Sequence, residues 1–474
     1  MLGKQASHSK KFSVLKITAF AIFASAFTAA SAFSVKFWFE NKELKALKPL
    51  QPITYYTVSS EKSFLDGSDV VSVIDEGAFQ TEKKKLIEAK SDFIEADLKT
   101  MKMTLYEKGE PKTDYPIKAK GKEGSFWETT TGVYSVGVKL VNHFSSIARV
   151  WMPYGIQFYG NFFIHGWPYH SDGTPIVGSY SGGCIRLSTD DAKKVFEFAK
   201  NGMPVLVFEE KPKKALYEAL QLSSGGISSA PDISAGAAVI ADLDTGEILL
   251  DKEVDRVNPV GALTKSMTAL TVSEVVNLER VITAQASMLN KEKSDGLLKI
   301  SEMYRGFDLL YPLLMQSSND AASVLGGFLG EKETVNQMNK KARALGMSGT
   351  NFVDTTGESE ENVSTLRDLS RLAKYILDKR GFIFGVSIGT QYPEDGTVKF
   401  SNLQNYNPFA GEKNITGVIG GRSDAVGFTI LTVWKESKEG GPVRNLLIGV
   451  LGSNDANGDI IALRDWFEGN FGMK

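Results

Sequence analysis

The chain has 474 residues, more than one hydrophobic core normally organises, so two or three domains are expected. Its formal net charge is −2 and its pI is about 6.2. Because no basic excess is available to neutralise phosphates, composition argues against nucleic acid as a partner. A single cysteine and four scattered histidines do not form a common zinc motif, so we expect neither a metal nor another cofactor.

The first 36 residues carry the features of an export segment. An uncharged run from Ile17 to Val35 follows four lysines, Lys4, Lys10, Lys11 and Lys16. As a helix rising ~1.5 Å per residue, this run could cross a bilayer, and the lysines would keep its start in the cytoplasm. Ala30-Ser31-Ala32 matches a signal cleavage site, so a cleaved signal peptide is the alternative. We expect a retained membrane anchor over residues 1–36, with the rest outside the cytoplasm.

The remaining chain divides into two domains and two connecting segments. We expect a connector over residues 37–92, followed by a mainly β domain over 93–210, where short alternating runs and Gly-rich breaks dominate. A Ser/Gly-rich stretch marks a linker over 211–231. Strands at both ends of a helix-rich middle then predict a mixed α/β (α+β) domain over 232–474.

Cys184 is the only cysteine of an exported chain, so the protein has no internal disulfide. The residue is either a buried, inert cysteine or a reactive one. Its neighbours favour reactivity, since glycines before a nucleophile allow close backbone approach and Arg186 adds a fixed positive charge. His165 and His170 lie upstream as candidate bases for the thiol.

The segment from His165-Gly166 through Ser181-Gly182-Gly183-Cys184-Ile185-Arg186 resembles the catalytic motif of the L,D-transpeptidases of the YkuD type. Two upstream stretches also fit that family, Thr129-Thr130-Thr131-Gly132-Val133-Tyr134 and Met152-Pro153-Tyr154. The resemblance covers residues 93–209. Two positions depart from the family pattern: Thr130 stands where proline is usual, and Gly182 stands where many members have histidine.

The resemblance implies that Cys184 attacks a tetrapeptide stem of peptidoglycan and expels D-alanine, with His165 as the base. Backbone N–H groups of Gly183 and Cys184 are then candidate oxyanion donors, and Arg186 and Ser181 shape the site. The acyl group passes to an amine of another stem. Two alternatives stay open: an L,D-carboxypeptidase that transfers to water, and a non-catalytic scaffold that binds the wall. The acceptor and the oligomeric state are left open.

The second domain resembles the serine D-alanyl-D-alanine carboxypeptidases of the penicillin-binding type, with a β-lactamase-like fold. Its Ser-x-Asn motif is present as Ser317 and Asn319. The Ser-x-x-Lys motif reads Ala262-Leu263-Thr264-Lys265, and the Lys-Thr-Gly triad reads Ile419-Gly420-Gly421. Because alanine cannot form an acyl-enzyme, we expect a catalytically inactive binding or regulatory module. Lys265, Ser317 and Asn319 either shape a pocket or persist as buried structural groups.

Overall fold

The computed structural model describes residues 78–209, 228–289, 295–389, 400, 403–423, 426–437 and 443–471. All of them belong to one compact unit that extends from Lys62 to Lys474. The anchor expected over 1–36, the connector up to residue 77 and most of the expected linker lie outside the described residues. Among the helices described, none is long and apolar enough to cross a membrane.

The first domain is mainly β, as predicted, with two short helices. Its sheets have the strand orders β3-β2-β1-β9-β4 and β5-β6-β7-β8. The strands are β1 Phe93–Asp97, β2 Lys102–Glu107, β3 Glu110–Pro116, β4 Gly132–Ser135, β5 Lys139–Ser145, β6 Val150–Tyr159, β7 Phe162–His165, β8 Ile185–Arg186 and β9 Pro204–Phe208. The helices are α1 Ala78–Glu88 and α2 Thr189–Phe198.

Helix α1 packs on the first sheet, although it precedes the expected domain start at residue 93. The ring of Phe79 lies 4.0 Å from that of Phe208, centroid to centroid. Lys83 forms a 2.8 Å ion pair with Glu95 of β1. The first domain therefore includes residues that the sequence assigned to the connector, because the charged face of this helix conceals its apolar contacts with the sheet.

The second domain is a five-stranded antiparallel sheet of order β11-β10-β18-β17-β16 with helices on both faces. The strands of this sheet are β10 Ala237–Asp242, β11 Ile248–Lys252, β16 Ile415–Ser423, β17 Gly427–Glu436 and β18 Arg444–Ser453. Two smaller two-stranded sheets pair β12 Asn258–Pro259 with β15 Val363–Ser364, and β13 Val281–Thr283 with β14 Met303–Arg305. Its helices are α3 Thr264–Val275, α4 Gly306–Met315, α5 Asn319–Gly326, α6 Glu331–Ala344, α7 Leu366–Lys379, α8 Phe382–Ser387 and α9 Ala456–Phe471. Alternate residues of β10 face opposite layers: Val239 packs with the helical layer that contains α3, and Ile240 packs with α9.

Helix α3 is buried along its whole length and is the central helix of the second domain. A single 3-10 turn, Gly261–Leu263, precedes it and carries Ala262. Its last residues, Glu274 and Val275, lie at the boundary with the first domain. The helix therefore joins the region of the altered Ser-x-x-Lys motif to the contact between the two domains.

The two domains share one continuous apolar core. Tyr134 and Tyr159 of the first domain belong to the same buried cluster as Val275, Ala344 and Tyr375 of the second. This extent of shared burial excludes water from the contact, so the polar groups there need partners within the protein.

Buried charges at this contact are paired with one another. Glu274 pairs with Lys341 at 2.8 Å and with Arg380 at 3.0 Å. Lys341 also donates to the hydroxyl of Thr130 in the first domain, at 2.7 Å. Burial alone would raise the pKa of Glu274, but the positive charges of Lys341 and Arg380 hold that pKa below its ordinary value. The carboxylate is therefore ionised inside the contact.

Candidate active site

The pairing of β7 with β8 puts the predicted nucleophile and the predicted base on the same face of the two strands. The two strands run parallel, with Ile164 opposite Ile185 and His165 opposite Arg186. Because alternate residues of a strand share a face, His165 and Arg186 point away from the core that buries Ile164 and Ile185. Cys184 directly precedes β8 and packs against Phe163, two residues before His165 on that face. Cysteine, histidine and arginine thus lie on one side of adjacent strands.

His165 is arranged as a neutral base. Its Nδ1 lies 2.6 Å from the carbonyl oxygen of Gly166. A carbonyl oxygen only accepts hydrogen bonds, so Nδ1 carries the proton and Nε2 keeps a free lone pair. Burial lowers the pKa of His165 to about 4, and the charge of Arg186 acts in the same direction. The imidazole is therefore uncharged at neutral pH.

Cys184 is a protonated thiol in this arrangement. Its side chain is buried, and the thiol donates to the carbonyl oxygen of Asn161 at 3.6 Å. Burial raises the pKa of Cys184 to about 11, although the N–H of Phe163 and the charge of Arg186 favour the thiolate. An uncharged thiol and an uncharged imidazole are the resting state that these surroundings favour.

Ser181 and Gly183 shape the turn that presents Cys184. The Ser181 hydroxyl donates to the carbonyl of Cys184 at 2.5 Å and accepts the Gly183 N–H at 3.1 Å. Gly183 has a φ of +101°, and a Cβ there would lie 2.6 Å from Cε1 of Phe162. The Gly183 N–H, which was predicted to serve the oxyanion, is bonded to the Ser181 hydroxyl in this structure.

Arg186 is a buried cation, and some of its N–H donors have no hydrogen-bond partner among the described residues. Its side chain is 8% exposed, and its Nε and Nη1 have no hydrogen-bond partner among the described residues. The guanidinium lies 5.7 Å from the ring centroid of Trp167. Because a buried, unpaired donor is costly, these N–H groups suit a carboxylate or carbonyl oxygen supplied by a ligand.

Three residues near the cysteine were given no role from the sequence. Asn161 provides the carbonyl that accepts the thiol, and Thr129 donates to the carbonyl of Gly183 at 2.9 Å. His143 stacks on Phe163 with the ring centroids 4.7 Å apart. Gly160-Asn161 is a recognisable turn pair between two strands, so the hairpin was readable, but its proximity to Cys184 is a tertiary feature.

His170, the second upstream histidine, lies apart from this arrangement. It is exposed in the loop between β7 and Cys184, where its N–H donates to the carbonyl of Thr174 at 2.8 Å. Of the two candidate bases named from the sequence, the strand pairing therefore brings only His165 to the face that carries Cys184.

The second domain contains a cavity of about 650 Å³ at the position of the altered serine-peptidase motifs. Four residues singled out from the sequence line it: Ala262, Lys265, Ser317 and Asn319. Lys265 donates to the carbonyl of Thr356 at 2.6 Å, and burial lowers the pKa of Lys265 to about 8. These groups are thus gathered around open space rather than dispersed through the core.

Strand β16 borders the same cavity. Gly420, Gly421 and Arg422 line it, whereas Ile419, at the position of the family lysine, is buried in the apolar core. A Cβ on Gly421 would lie 2.7 Å from the Cβ of Ala262, so the strand passes very close to the first turn of the motif. Neither the hydroxyl nor the lysine of the family pattern is present at these two positions.

Comparison with known families assigns a class to each of the two domains. The family model described as the L,D-transpeptidase catalytic domain matches residues 91–207. The model described as D-alanyl-D-alanine carboxypeptidase matches residues 225–443. The chain thus carries an L,D-transpeptidase domain followed by a D-alanyl-D-alanine carboxypeptidase domain. Within the described residues, no group of three or more His, Cys, Asp or Glu side chains could bind a metal.

Individual relatives resemble part of the chain. A D-alanyl-D-alanine endopeptidase of Escherichia coli K12 is 35% identical over 149 residues, which is 31% of this chain and 48% of that protein. The Pseudomonas aeruginosa endopeptidase is 35% identical over 31% of this chain and 49% of its own length. The chain therefore spans about half the length of these curated relatives.

Solved structures show a similar partial match. The crystal structure of a D-alanyl-D-alanine carboxypeptidase from Mycobacterium tuberculosis H37Rv has a TM-score of 0.45 and 24% sequence identity. That match covers 52% of this chain and 95% of the other.

Proposed function

We propose that the protein is a peptidoglycan L,D-transpeptidase that acts on the extracytoplasmic side of the membrane. The observation that supports the proposal is the register of β7 and β8, from which Cys184 and His165 belong to the same face, with Nε2 of His165 left without a proton. Acyl transfer needs the base within hydrogen-bond reach of the nucleophile, so in this proposal the thiol leaves the Asn161 carbonyl and turns towards His165 before it reacts. Peptidoglycan as substrate follows from the two domain classes together.

In the first half-reaction, the sulfur of Cys184 attacks the carbonyl carbon of the third stem residue. The thiol proton passes to Nε2 of His165, and a carbon–sulfur bond forms. The bond from that carbon to the nitrogen of D-alanine then breaks, and the departing amine takes the proton from His165. A thioester on Cys184 and free D-alanine result.

In the second half-reaction, an amine of another stem attacks the thioester. His165 accepts a proton from this amine, and the proton returns to the departing sulfur. The new amide joins the two stems and restores the thiol. Water as acceptor would give a carboxylate instead, which is the L,D-carboxypeptidase outcome.

The free donors of Arg186 fit a substrate oxygen beside the reacting carbonyl. For the oxyanion, the proposed mechanism uses the N–H of Cys184, while the Gly183 N–H stays bonded to the Ser181 hydroxyl. Ser181 would then act by holding the turn that presents Cys184.

The second domain, in this proposal, binds a stem peptide and does not cleave it. Ala262 has only a methyl group where the serine hydroxyl would attack, and Ile419 places no charge in the cavity. The cavity itself, with Lys265, Ser317 and Asn319 on its wall, is large enough for a short peptide end.

The test is mass spectrometry of products after incubation of the protein with purified disaccharide-tetrapeptide. Crosslinked dimers that have lost one D-alanine should form with the wild type and should be absent with Cys184→Ala and His165→Ala. Monomers that only lose D-alanine would establish the carboxypeptidase instead. No product from a folded wild type would contradict catalysis and favour a wall-binding scaffold.

A parallel incubation with disaccharide-pentapeptide tests the second domain. We expect the Cys184→Ala variant to leave the terminal D-alanine in place. Its release by that variant would show serine-type carboxypeptidase activity and would contradict a purely binding role.

A further inference from the structure

We infer that the second domain is a working part of the cysteine site, positioning Cys184 through Asn161 on one side and through the Glu128–Thr129 segment on the other. This inference rests on the proposed role of Cys184 as nucleophile. It assigns the carboxypeptidase-type domain a role that its own altered motifs do not supply.

The first connection runs through the hairpin between β6 and β7. The side-chain amide of Asn161 donates to the main-chain carbonyl of Val275, at the end of α3, over 2.8 Å. The main-chain carbonyl of the same asparagine accepts the thiol of Cys184. One residue of the first domain therefore contacts the second domain with its side chain and the nucleophile with its backbone.

Close packing supports this hairpin contact. Gly160 has a φ of +47°, and a Cβ at that position would lie 2.6 Å from Cγ1 of Val275. The valine is 6% exposed and β-branched, so its side chain has little freedom to move aside. The hairpin therefore rests directly against the end of α3.

The second connection runs through the residues before β4. Lys379 pairs with the carboxylate of Glu128, and Arg380 donates to its main-chain carbonyl over 3.0 Å. The next residue, Thr129, donates to the carbonyl of Gly183, directly before the nucleophile. Lys379 and Arg380 of the second domain therefore hold the Glu128–Thr129 segment, and Thr129 in turn holds Gly183.

Both connections meet at the end of α3. Arg380 also pairs with Glu274, the residue before Val275, at 3.0 Å. Removing water from these charges is costly unless the geometry is maintained, so each pair favours one relative placement of the two domains. The same few residues thus constrain both flanks of Cys184.

A compensating pair of substitutions tests the hairpin connection in the full chain. Gly160→Ala creates the clash with Val275, and Val275→Ala removes the methyl group that it meets. We expect Gly160→Ala to lower the transpeptidation kcat by about tenfold or more with little change in KM, since a displacement of the nucleophile slows the chemical step. Val275→Ala alone should have a small effect, and the double variant should recover part of the lost kcat, since the Val275 Cβ at 3.2 Å and the positive φ of residue 160 remain.

Alkylation of the only cysteine by iodoacetamide reports the position of Cys184 without any turnover. Asn161→Ala and Gly160→Ala should release the thiol from its carbonyl acceptor and expose it, so alkylation should become several times faster while kcat falls. The opposite signs of the two changes identify a displaced nucleophile. Asp242→Asn is the control, because it breaks a buried second-domain pair with Arg444 and touches neither connection.

If the losses of kcat in Gly160→Ala and Val275→Ala simply add in the double variant, the inference is overturned. It is also overturned if the kcat and the alkylation rate of Asn161→Ala stay within about twofold of the wild type. An equal rise in alkylation in Asp242→Asn, at a matched loss of thermal stability, would also overturn it. If the wild type makes no crosslinks, the proposed function fails, but the alkylation rates of Gly160→Ala, Val275→Ala and the double variant still decide the positioning role.

Discussion

The hydroxyl of Thr129 bridges the backbone of Gly121 and the backbone of Gly183. It accepts the Gly121 N–H at 2.8 Å and donates to the Gly183 carbonyl at 2.9 Å. Both bonds are buried, so water cannot replace either one. The bridge therefore fixes the residue before Cys184 to a neighbouring segment of the same domain.

Thr129→Val should lower both stability and activity. The substitution keeps the shape of the side chain but leaves a buried N–H and a buried carbonyl without partners, which costs about 1–3 kcal/mol for each group. We expect a lower midpoint of urea unfolding and a reduced rate of crosslink formation. Thr131→Val, two residues further on, is the matched control. Equal midpoints for the two variants would contradict the importance of the bridge.

The two glycines before Cys184 should differ sharply in their tolerance of alanine. Gly183→Ala combines a φ of +101° with a Cβ 2.6 Å from the Phe162 ring, so the turn must rearrange. At Gly182, a Cβ meets nothing within 4 Å. We expect crosslink formation to fall by about two orders of magnitude in Gly183→Ala, because the nucleophile is displaced, and to stay close to wild type in Gly182→Ala. Similar losses in both variants would contradict this account of the turn.

The open space at Gly182 also bears on its departure from the family pattern. The family pattern described above has histidine at this position, and a Cβ on the exposed Gly182 would meet no atom within 4 Å. With glycine at position 182, the hydrogen bonds of His165, Ser181 and Thr129 are all present.

Alkylation of Cys184 should depend on pH in a way that a free thiol does not. Because burial raises the pKa of Cys184 to about 11, the thiolate fraction and the iodoacetamide rate should keep rising about tenfold per pH unit up to pH 10. A free thiol instead levels off above about pH 8.5. The urea-unfolded protein provides the control and should follow the free thiol. A plateau below pH 8 in the folded protein would show a resting thiolate–imidazolium pair.

The domain order and the strand pairing near Cys184 could be predicted from the sequence, because both depend on local spacing. His165 and Cys184 lie close along the chain, and a parallel pairing of two short strands is enough to put them on one face. The hairpin at Lys108-Gly109 also has a local signal, because a short Gly-containing turn separates two strand-like runs. Both residues have positive φ values, +52° and +81°, which a two-residue turn of this kind requires.

The contact between the domains could not be predicted from the sequence, because it joins residues far apart in the chain. Thr130 departs from the proline of the family pattern, and the structure gives a physical reason. Its hydroxyl lies 2.9 Å from the Tyr375 hydroxyl and accepts from Lys341. A proline has no group that could make these bonds, but only the folded partner domain reveals that they exist.

Strand β2 shows a second limit of sequence reasoning. Met103 and Leu105 alternate with polar residues, which is the pattern of a strand with one buried face. In the structure, Thr104 and Tyr106 on the other face are buried as well. Thr104 satisfies its hydroxyl by donating to Asp114 at 2.7 Å, and Tyr106 stacks on Phe93. Neighbouring elements cover the second face, which a period of two along one strand does not reveal.

Glu274→Gln should destabilise the whole chain at neutral pH. The substitution leaves Lys341 and Arg380 buried without their counter-ion, and breaking a buried pair in this way costs about 3–5 kcal/mol. We expect a lower urea midpoint, measured by intrinsic fluorescence at pH 7. Glu279→Gln is the matched control, because its 3.5 Å pair with Arg305 is exposed on the glutamate side and should contribute nothing measurable.

The pH dependence distinguishes loss of charge from loss of packing. The folded state lowers the pKa of Glu274, so the stability it contributes is complete above the unfolded value of about 4.3 and is lost as pH falls through the folded pKa. The wild type should therefore lose this contribution on acidification, whereas Glu274→Gln has none to lose. The gap between their urea midpoints should narrow from pH 7 towards pH 3. A gap that stays constant with pH would assign the effect to packing rather than to the buried carboxylate.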